Sequence, residues 1–177
     1  MNLKLLLLIV IVSLSSCYGV KIKGKKNPKK YYEEFFISQG IIQYFIKPLE
    51  FKGEKETFVA DFTFRDSVQY NSLIAVNYSI FSDDVVKQVD SAFFITNNKK
   101  IKILNCEKLF IEKHKQYHLR NSCKITYNDL IQVINEDLEV LAYYNNLEHN
   151  FKATKQAKKG LFIAKTRIIE IIELNRD

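Results

Sequence analysis

The chain has 177 residues and a formal net charge of +7, from 27 lysines and arginines against 20 acidic residues. The excess lies entirely in residues 1–30, which hold seven lysines and no acid, so residues 31–177 are formally neutral. A folded part without net positive charge argues against a nucleic-acid-binding domain, which needs a basic face. The hydrophobic content of 47% suffices for the core of one domain.

Residues 1–16 have the three parts of an export signal. Lys4 gives a positive start, residues 5–12 are all apolar, and small residues follow. As a helix, residues 5–14 would be about 15 Å long, half of the hydrocarbon core of a bilayer and too short for a permanent span. The run has no polar face, which disfavours a core helix. The sequence therefore predicts a signal peptide that is cleaved after residue 16.

Leu14-Ser15-Ser16-Cys17 resembles the lipobox of bacterial lipoproteins, in which a leucine and two small residues precede a cysteine. The resemblance covers only the N-terminus. It implies cleavage before Cys17, diacylglycerol on the Cys17 sulfur, and a fatty acid such as palmitate on the new amine. Each buried CH2 of these chains contributes about 0.8 kcal/mol to membrane attachment. We therefore expect an envelope lipoprotein; the alternative is an ordinary secretory signal in which Cys17 is incidental.

A lysine-rich tether, residues 17–30, follows the signal peptide. Its lysines are Lys21, Lys23, Lys25, Lys26, Lys29 and Lys30. Near anionic headgroups each lysine contributes about 1 kcal/mol to membrane binding. The alternative is a solvated linker that is kept extended by self-repulsion. Lipoproteins displayed on the outer surface of some bacteria often carry acidic residues soon after the cysteine. This tether has none, so we expect the periplasmic side.

Residues 31–177 are predicted to form a single α+β domain with a mainly antiparallel sheet of seven or eight strands, arranged as a meander and hairpins. An N-terminal helix is predicted to run from Asn27-Pro28 to Gly40, because a capping residue, a proline, early acids and a left-handed stop occur in that order. Strands rich in Phe, Ile, Val and Tyr are then expected at residues 41–51, 57–65, 73–81 and 91–96.

Two further strands, residues 100–112 and 117–126, are predicted to form a hairpin that turns at His114-Lys115. In that register Cys106 lies opposite Cys123. A disulfide is permitted in an exported protein, and closing a loop of this length contributes about 3 kcal/mol. The alternative is a pair of reduced cysteines that act as small buried hydrophobic residues. A zinc site would need four ligands at closer spacing.

The last third of the chain is predicted to contain two helices and a hairpin. Residues 126–129 resemble a capping box and predict a short middle helix ending near Asn135. A hairpin then joins residues 138–144 to 147–153 through Asn145-Asn146, with Glu139 opposite Lys152. The final amphipathic helix, residues 155–174, is expected to face the core with Leu161, Ala164, Ile168, Ile171 and Ile172.

Histidines offer the simplest test for catalysis or metal binding. His114 and His118 fall in a predicted turn and strand, where their spacing does not place two ligands on one face. His149 is expected to be a histidine of the core or its rim. Asp83-Asp84 has no nucleophile to work with, and the sequence contains no phosphate-binding glycine-rich loop or nucleophile elbow. We therefore predict no enzymatic activity, no cofactor and no metal site.

Three functions follow from these observations. The first is a non-enzymatic envelope lipoprotein that binds a protein partner or another envelope component, because catalytic residue types are scarce and aromatic residues abundant. The second is a module that binds an apolar, lipid-like ligand in a pocket between the sheet and the C-terminal helix. The third is a hydrolase built from His118 or His149 and an acid. No nucleic-acid partner is expected.

Overall fold

The structure, a computed structural model, describes residues 28–38, 40–96 and 99–176. The predicted signal peptide, Cys17 and most of the lysine-rich tether lie outside the described residues. The fold is α+β with a mainly antiparallel sheet, as predicted, but the sheet has ten strands instead of seven or eight. The strands are β1 (Tyr32–Ser38), β2 (Ile41–Lys52), β3 (Thr57–Arg65), β4 (Leu73–Ser82), β5 (Ser91–Thr96), β6 (Lys99–Lys102), β7 (Leu104–Lys113), β8 (Tyr117–Thr126), β9 (Glu139–Tyr144) and β10 (Leu147–Ala153).

The sheet nearly closes into a barrel. Its strand order is β6-β5-β9-β10-β2-β3-β4-β8-β7, with β1 paired to β2 beside this path. Only Ile103 separates β6 from β7 in the sequence, so the two ends of the strand order must lie next to each other. Across the interior, the ring centroids of Phe62 on β3 and Phe94 on β5 are 5.7 Å apart.

The predicted N-terminal helix is wrong. Pro28–Lys30 forms one 3-10 turn, and Tyr32–Ser38 is strand β1, which pairs antiparallel with the first half of β2. The run of aromatic and β-branched residues after Glu34 suits a pleated strand better than a helix. Gly40 does adopt the left-handed conformation, with φ of 83°, but it uses it in the turn between β1 and β2.

The strand predicted over residues 100–112 is two strands, β6 and β7, which explains part of the higher strand count. At the break, the backbone N–H of Ile103 donates to the carbonyl of Ala92 at 2.9 Å, and the Ile103 side chain is buried. The chain therefore leaves β5 at this point and begins pairing with β8 at the other end of the strand order.

The middle helix and the β9–β10 hairpin follow the sequence prediction. Helix α1 (Tyr127–Val133) begins at the Thr126 cap, whose Oγ1 accepts a hydrogen bond from the Asp129 N–H at 3.0 Å. Asn145 and Asn146 turn the β9–β10 hairpin with positive φ angles of 50° and 62°. Glu139 lies opposite Lys152, as expected.

The C-terminal helix consists of α2 (Lys155–Ala164), a π-helical segment (Lys165–Ile169) and α3 (Glu170–Leu174). It packs closely on β2: a Cβ atom added to Gly160 would lie 2.7 Å from Cδ2 of the buried Leu49. The π-helical segment adds a residue to one turn and rotates the face that follows. As a result Ile169 is buried, whereas Ile171, which the sequence pattern placed in the core, is 45% exposed.

Candidate functional site

A row of polar side chains lies on the outer face of β3, β4, β7 and β8. Strand alternation puts Phe58, Tyr78 and Leu119 inside and leaves their neighbours outside. We call this group the outer polar row. Its members are Asp61, Asn77, Ser79, Glu112, His118 and Arg120.

Asp61 forms one end of the outer polar row. Its Oδ2 accepts from Arg120 Nη2 at 2.8 Å, and its Oδ1 accepts from Asn77 Nδ2 at 3.0 Å. The carboxylate is almost fully buried, while the Arg120 side chain is 27% exposed. A buried carboxylate is tolerated only when it is paired and hydrogen-bonded, and these two partners meet that need.

Ser79 and His118 continue the row with a defined direction of hydrogen bonding. Arg120 Nη1 donates to Ser79 Oγ at 3.1 Å. Arginine can only donate, so the serine hydroxyl proton is available for His118 Nε2, which lies 2.9 Å away. Nδ1–H of His118 is then free to donate to Glu112 Oε1 at 3.2 Å.

This order of serine, histidine and carboxylate is that of an activated nucleophile. Three features oppose such a role here. Ser79 is only 2% exposed. It lies in the middle of β4, between Val59 on β3 and Arg120 on β8, so nearby backbone N–H groups are engaged in the sheet and do not form an oxyanion hole. The His118 ring is held between Phe81 and Phe110, with centroid distances of 4.3 and 5.0 Å.

The two histidines of the β7–β8 hairpin share one acid. His114 Nε2 and His118 Nδ1 lie 3.4 and 3.2 Å from the same Glu112 oxygen. Within residues 28–38, 40–96 and 99–176, no three His, Cys, Asp or Glu side chains are grouped so that they could hold a metal ion. Asp83 accepts a hydrogen bond from Gln116 Nε2 at 3.0 Å and thereby links the chain after β4 to this hairpin.

His149 lies at the rim of the core, in the kind of position predicted for it. Its ring stacks on Tyr144 at 3.7 Å, and its Nδ1 is 3.7 Å from Glu56 Oε1. His149 Nε2 and the Tyr144 hydroxyl are buried without a protein hydrogen-bond partner. Burial raises the pKa of Tyr144, and the nearby Glu56 carboxylate raises it further.

Cys106 and Cys123 lie at disulfide distance, with Cα atoms 4.1 Å apart. The hairpin turns around Lys115, with Lys113 opposite Tyr117, so the turn centre lies half a residue after the predicted His114-Lys115. Irregularities in β7 on both sides of residues 107–108 correct the register and bring the two cysteines together. Cys123 is buried, whereas Cys106 is on the exposed edge strand.

Large apolar side chains are exposed at the β1–β2 hairpin and at the end of the C-terminal helix. Phe36 is 82% exposed and is the most exposed of the large hydrophobic residues among those described. A groove of about 410 Å³ joins the two elements, with Ile42 on one side and Ile171 on the other. We call these exposed residues the tip patch: Phe35, Phe36, Ile37, Ile171 and Leu174.

The tip patch does not follow from the sequence pattern, because the residues from Asn27-Pro28 to Gly40 have the capping and stop signals of a helix. The available signal was the uncharged run from residue 35 to residue 46 in a chain that is 27% charged. No helix among the described residues is long and apolar enough to cross a membrane. Comparison with protein-family models, with curated proteins and with solved structures gave no match.

Proposed function

We propose that the protein is an envelope lipoprotein, held at a membrane through Cys17, whose domain acts by binding and not by catalysis. The binding surface is the tip patch. The observation that carries this proposal is the 82% exposure of Phe36 beside two other exposed apolar residues on the same strand. Single exposed apolar residues are ordinary on protein surfaces, but a cluster of them is typical of a contact site.

The outer edge of β1 adds to this surface. Among the described residues β1 pairs with β2 alone, so one row of its backbone N–H and C=O groups has no strand partner. Natural proteins usually protect such an edge with charges or prolines. The second half of β1 has neither, because Phe35, Phe36 and Ile37 lead directly to the turn.

A photo-cross-linking experiment tests this proposal. A photoreactive phenylalanine analogue replaces Phe36 in the full chain, and the matched control carries it at Leu147, which is 63% exposed. Leu147 follows the β9–β10 turn. It lies beyond Lys52 at the C-terminal end of β2, whereas Gly40 precedes the N-terminal end of the same strand. We expect a specific cross-link to an envelope component from position 36 and none from position 147. Equal products from the two positions would contradict the proposal.

A hydrolase built on Ser79, His118 and Glu112 is the second candidate. Its support is the direction of the hydrogen bonds, which leaves His118 Nε2 as the acceptor of the serine proton. A fluorophosphonate probe tests it, because such probes label activated serines. Labelling that disappears in Ser79→Ala and in His118→Ala, but persists in Ser122→Ala on the neighbouring strand, would establish this function in place of the first.

The apolar-ligand module remains a third proposal, and the packing gives it little support. Leu161, Ala164 and Ile168 on the helix are all buried against the core, and Gly160 is in close contact with Leu49. A ligand between the sheet and the helix would therefore require these elements to separate. Organic extraction of the purified protein, followed by mass spectrometry, would detect such a ligand.

A further inference from the structure

We infer that the tip patch contacts the membrane itself, so that the β1–β2 hairpin enters the interfacial region of the bilayer to which the chain is anchored. This inference rests on the proposed function and names the partner of the same surface. The occupant is a lipid bilayer with anionic headgroups. A protein partner is the competing outcome of the experiment described below.

The β1–β2 hairpin exposes apolar side chains on both of its faces. Phe36 pairs with Ile42, on the face that also carries the core residue Tyr44. Phe35, which is also exposed, pairs with Gln43 on the opposite face. A protein that docks on a sheet covers one face, whereas lipid surrounds an inserted hairpin on all sides. Apolar residues on both faces therefore favour lipid.

The hairpin segment itself carries no charge, and the Asp66 carboxylate beside it accepts a hydrogen bond from the Ile42 N–H at 3.1 Å. No residue from Phe35 to Ile46 is charged. The acids of β1, Glu33 and Glu34, lie farther from the turn, and Glu33 is paired with Lys47 at 2.7 Å. Because charged side chains are costly in hydrocarbon, an uncharged apolar tip is what contact to a depth of about 5–10 Å at the acyl boundary requires.

The length and charge of the chain that precedes β1 also favour contact between the tip patch and a bilayer. Eleven residues, 17–27, separate the start of the mature chain from Pro28, and they span about 40 Å at full extension, at roughly 3.6 Å per residue. The seven residues of β1 extend about 23 Å from the tether to the turn. A lipid on Cys17 and the tip patch can thus reach one bilayer together, and the tether lysines complement anionic headgroups.

The chain contains no tryptophan, so a single tryptophan is a clean reporter of depth. Phe36→Trp and the control Leu147→Trp are prepared as full lipidated proteins in vesicles of phosphatidylethanolamine and phosphatidylglycerol. Lipids with brominated acyl chains then quench a tryptophan that touches hydrocarbon. We expect severalfold stronger quenching, and emission at shorter wavelength, for Phe36→Trp than for Leu147→Trp. Equal quenching in the two variants would overturn the inference.

A partition measurement separates failure of this inference from failure of the proposed function. In the non-lipidated Cys17→Ala chain, Phe36→Ser should lower the partition coefficient on the same vesicles about tenfold, while Leu147→Ser should not change it. No drop with Phe36→Ser, together with a cross-link from position 36 to a protein, would overturn lipid contact and keep the binding function. If the wild-type protein carries no acyl group but Phe36→Ser still lowers the partition coefficient tenfold, the result would support contact between the tip patch and lipid. It would contradict the anchor at Cys17.

Discussion

Ser79 Oγ donates a hydrogen bond to His118 Nε2 at 2.9 Å and accepts one from Arg120 Nη1 at 3.1 Å. The hydroxyl thus forms one hydrogen bond with each of the two larger side chains, while Ser79 itself is almost completely buried. In this position the serine joins β4 to β8 through side chains, in addition to the backbone ladder. Ser79 Oγ and His118 Nε2 also have the spacing of a catalytic relay, and the stability and activity of Ser79→Ala distinguish that role from a structural one.

Ser79→Ala should lower the free energy of unfolding by about 1–2 kcal/mol, because His118 and Arg120 each lose a buried partner. Ser122→Ala, also on the outer face, should change it by less than about 0.5 kcal/mol. Urea denaturation measures both values. Hydrolysis of p-nitrophenyl acetate by the folded protein should be the same for wild type and Ser79→Ala. Loss of hydrolysis with unchanged stability would contradict a structural role.

Because the π-helical segment rotates the end of the C-terminal helix, we expect Ile169 to contribute more to stability than Ile171, the opposite of what the sequence pattern predicts. Ile169→Ala should cost about 3 kcal/mol, because it opens a cavity in the core. Ile171→Ala should cost less than about 1 kcal/mol, because nearly half of that side chain is already in water. Thermal and urea unfolding of the two variants provide the comparison. A larger loss for Ile171→Ala would mean that the helix continues without the extra residue.

Buried tyrosines should destabilise the fold at alkaline pH. Burial raises the pKa values of Tyr78, Tyr127 and Tyr144 above the ordinary value of 10.0. Both folded and unfolded forms hold these protons below pH about 10, so the stability is fully present there. Above that pH the unfolded chain ionises first, and stability falls as the pH rises towards the folded-state values. Unfolding monitored by tyrosinate absorbance should therefore be cooperative.

Tyr78→Phe is the matched variant for this effect, because it removes the ionisable hydroxyl and keeps the ring that stacks on Phe58 at 4.9 Å. Its stability should decline less steeply with pH above 10 than that of the wild type. Parallel declines for the two proteins would show that Tyr78 already ionises freely in the folded state.

The cysteine pair predicts a disulfide in the exported protein. Without reduction, the Cys17→Ala chain should show no free thiol, and reduction should add the mass of two hydrogens. Reduction should also lower the free energy of unfolding by about 3 kcal/mol. Intact-mass spectrometry with and without alkylation provides the measurement. Two alkylated cysteines in the unreduced protein would show that Cys106 and Cys123 are thiols that merely lie close together.

Sequence patterns predicted the local elements of this fold better than its surfaces. Alternation and turn residues located β3, β5, β8 and β10 with their observed bounds, because turn signals flank each of these segments. The failures have physical causes. Residues 28–40 carry the punctuation of a helix, but pairing with β2 outweighs it. The π-helical segment buries Ile169 and exposes Ile171, and a pattern with a fixed helical period does not predict this change.

The candidate sites depended even more on tertiary structure. Asp61 and Ser79 come from consecutive strands, whereas His118 comes from β8, far away in sequence, and only the order β3-β4-β8 brings it to them. No spacing rule links such residues. The exposure of Phe36 likewise depends on which elements pack over its face of β1, and composition does not reveal this.

Mass spectrometry of the mature wild-type protein tests the central claim, that the domain is anchored through Cys17. We predict an N-terminal peptide that begins at Cys17 and carries diacylglycerol on sulfur and a fatty acid on the amine. The Cys17→Ala protein should lack both. A wild-type chain that begins at another residue, or a Cys17 without acyl mass, would contradict the account.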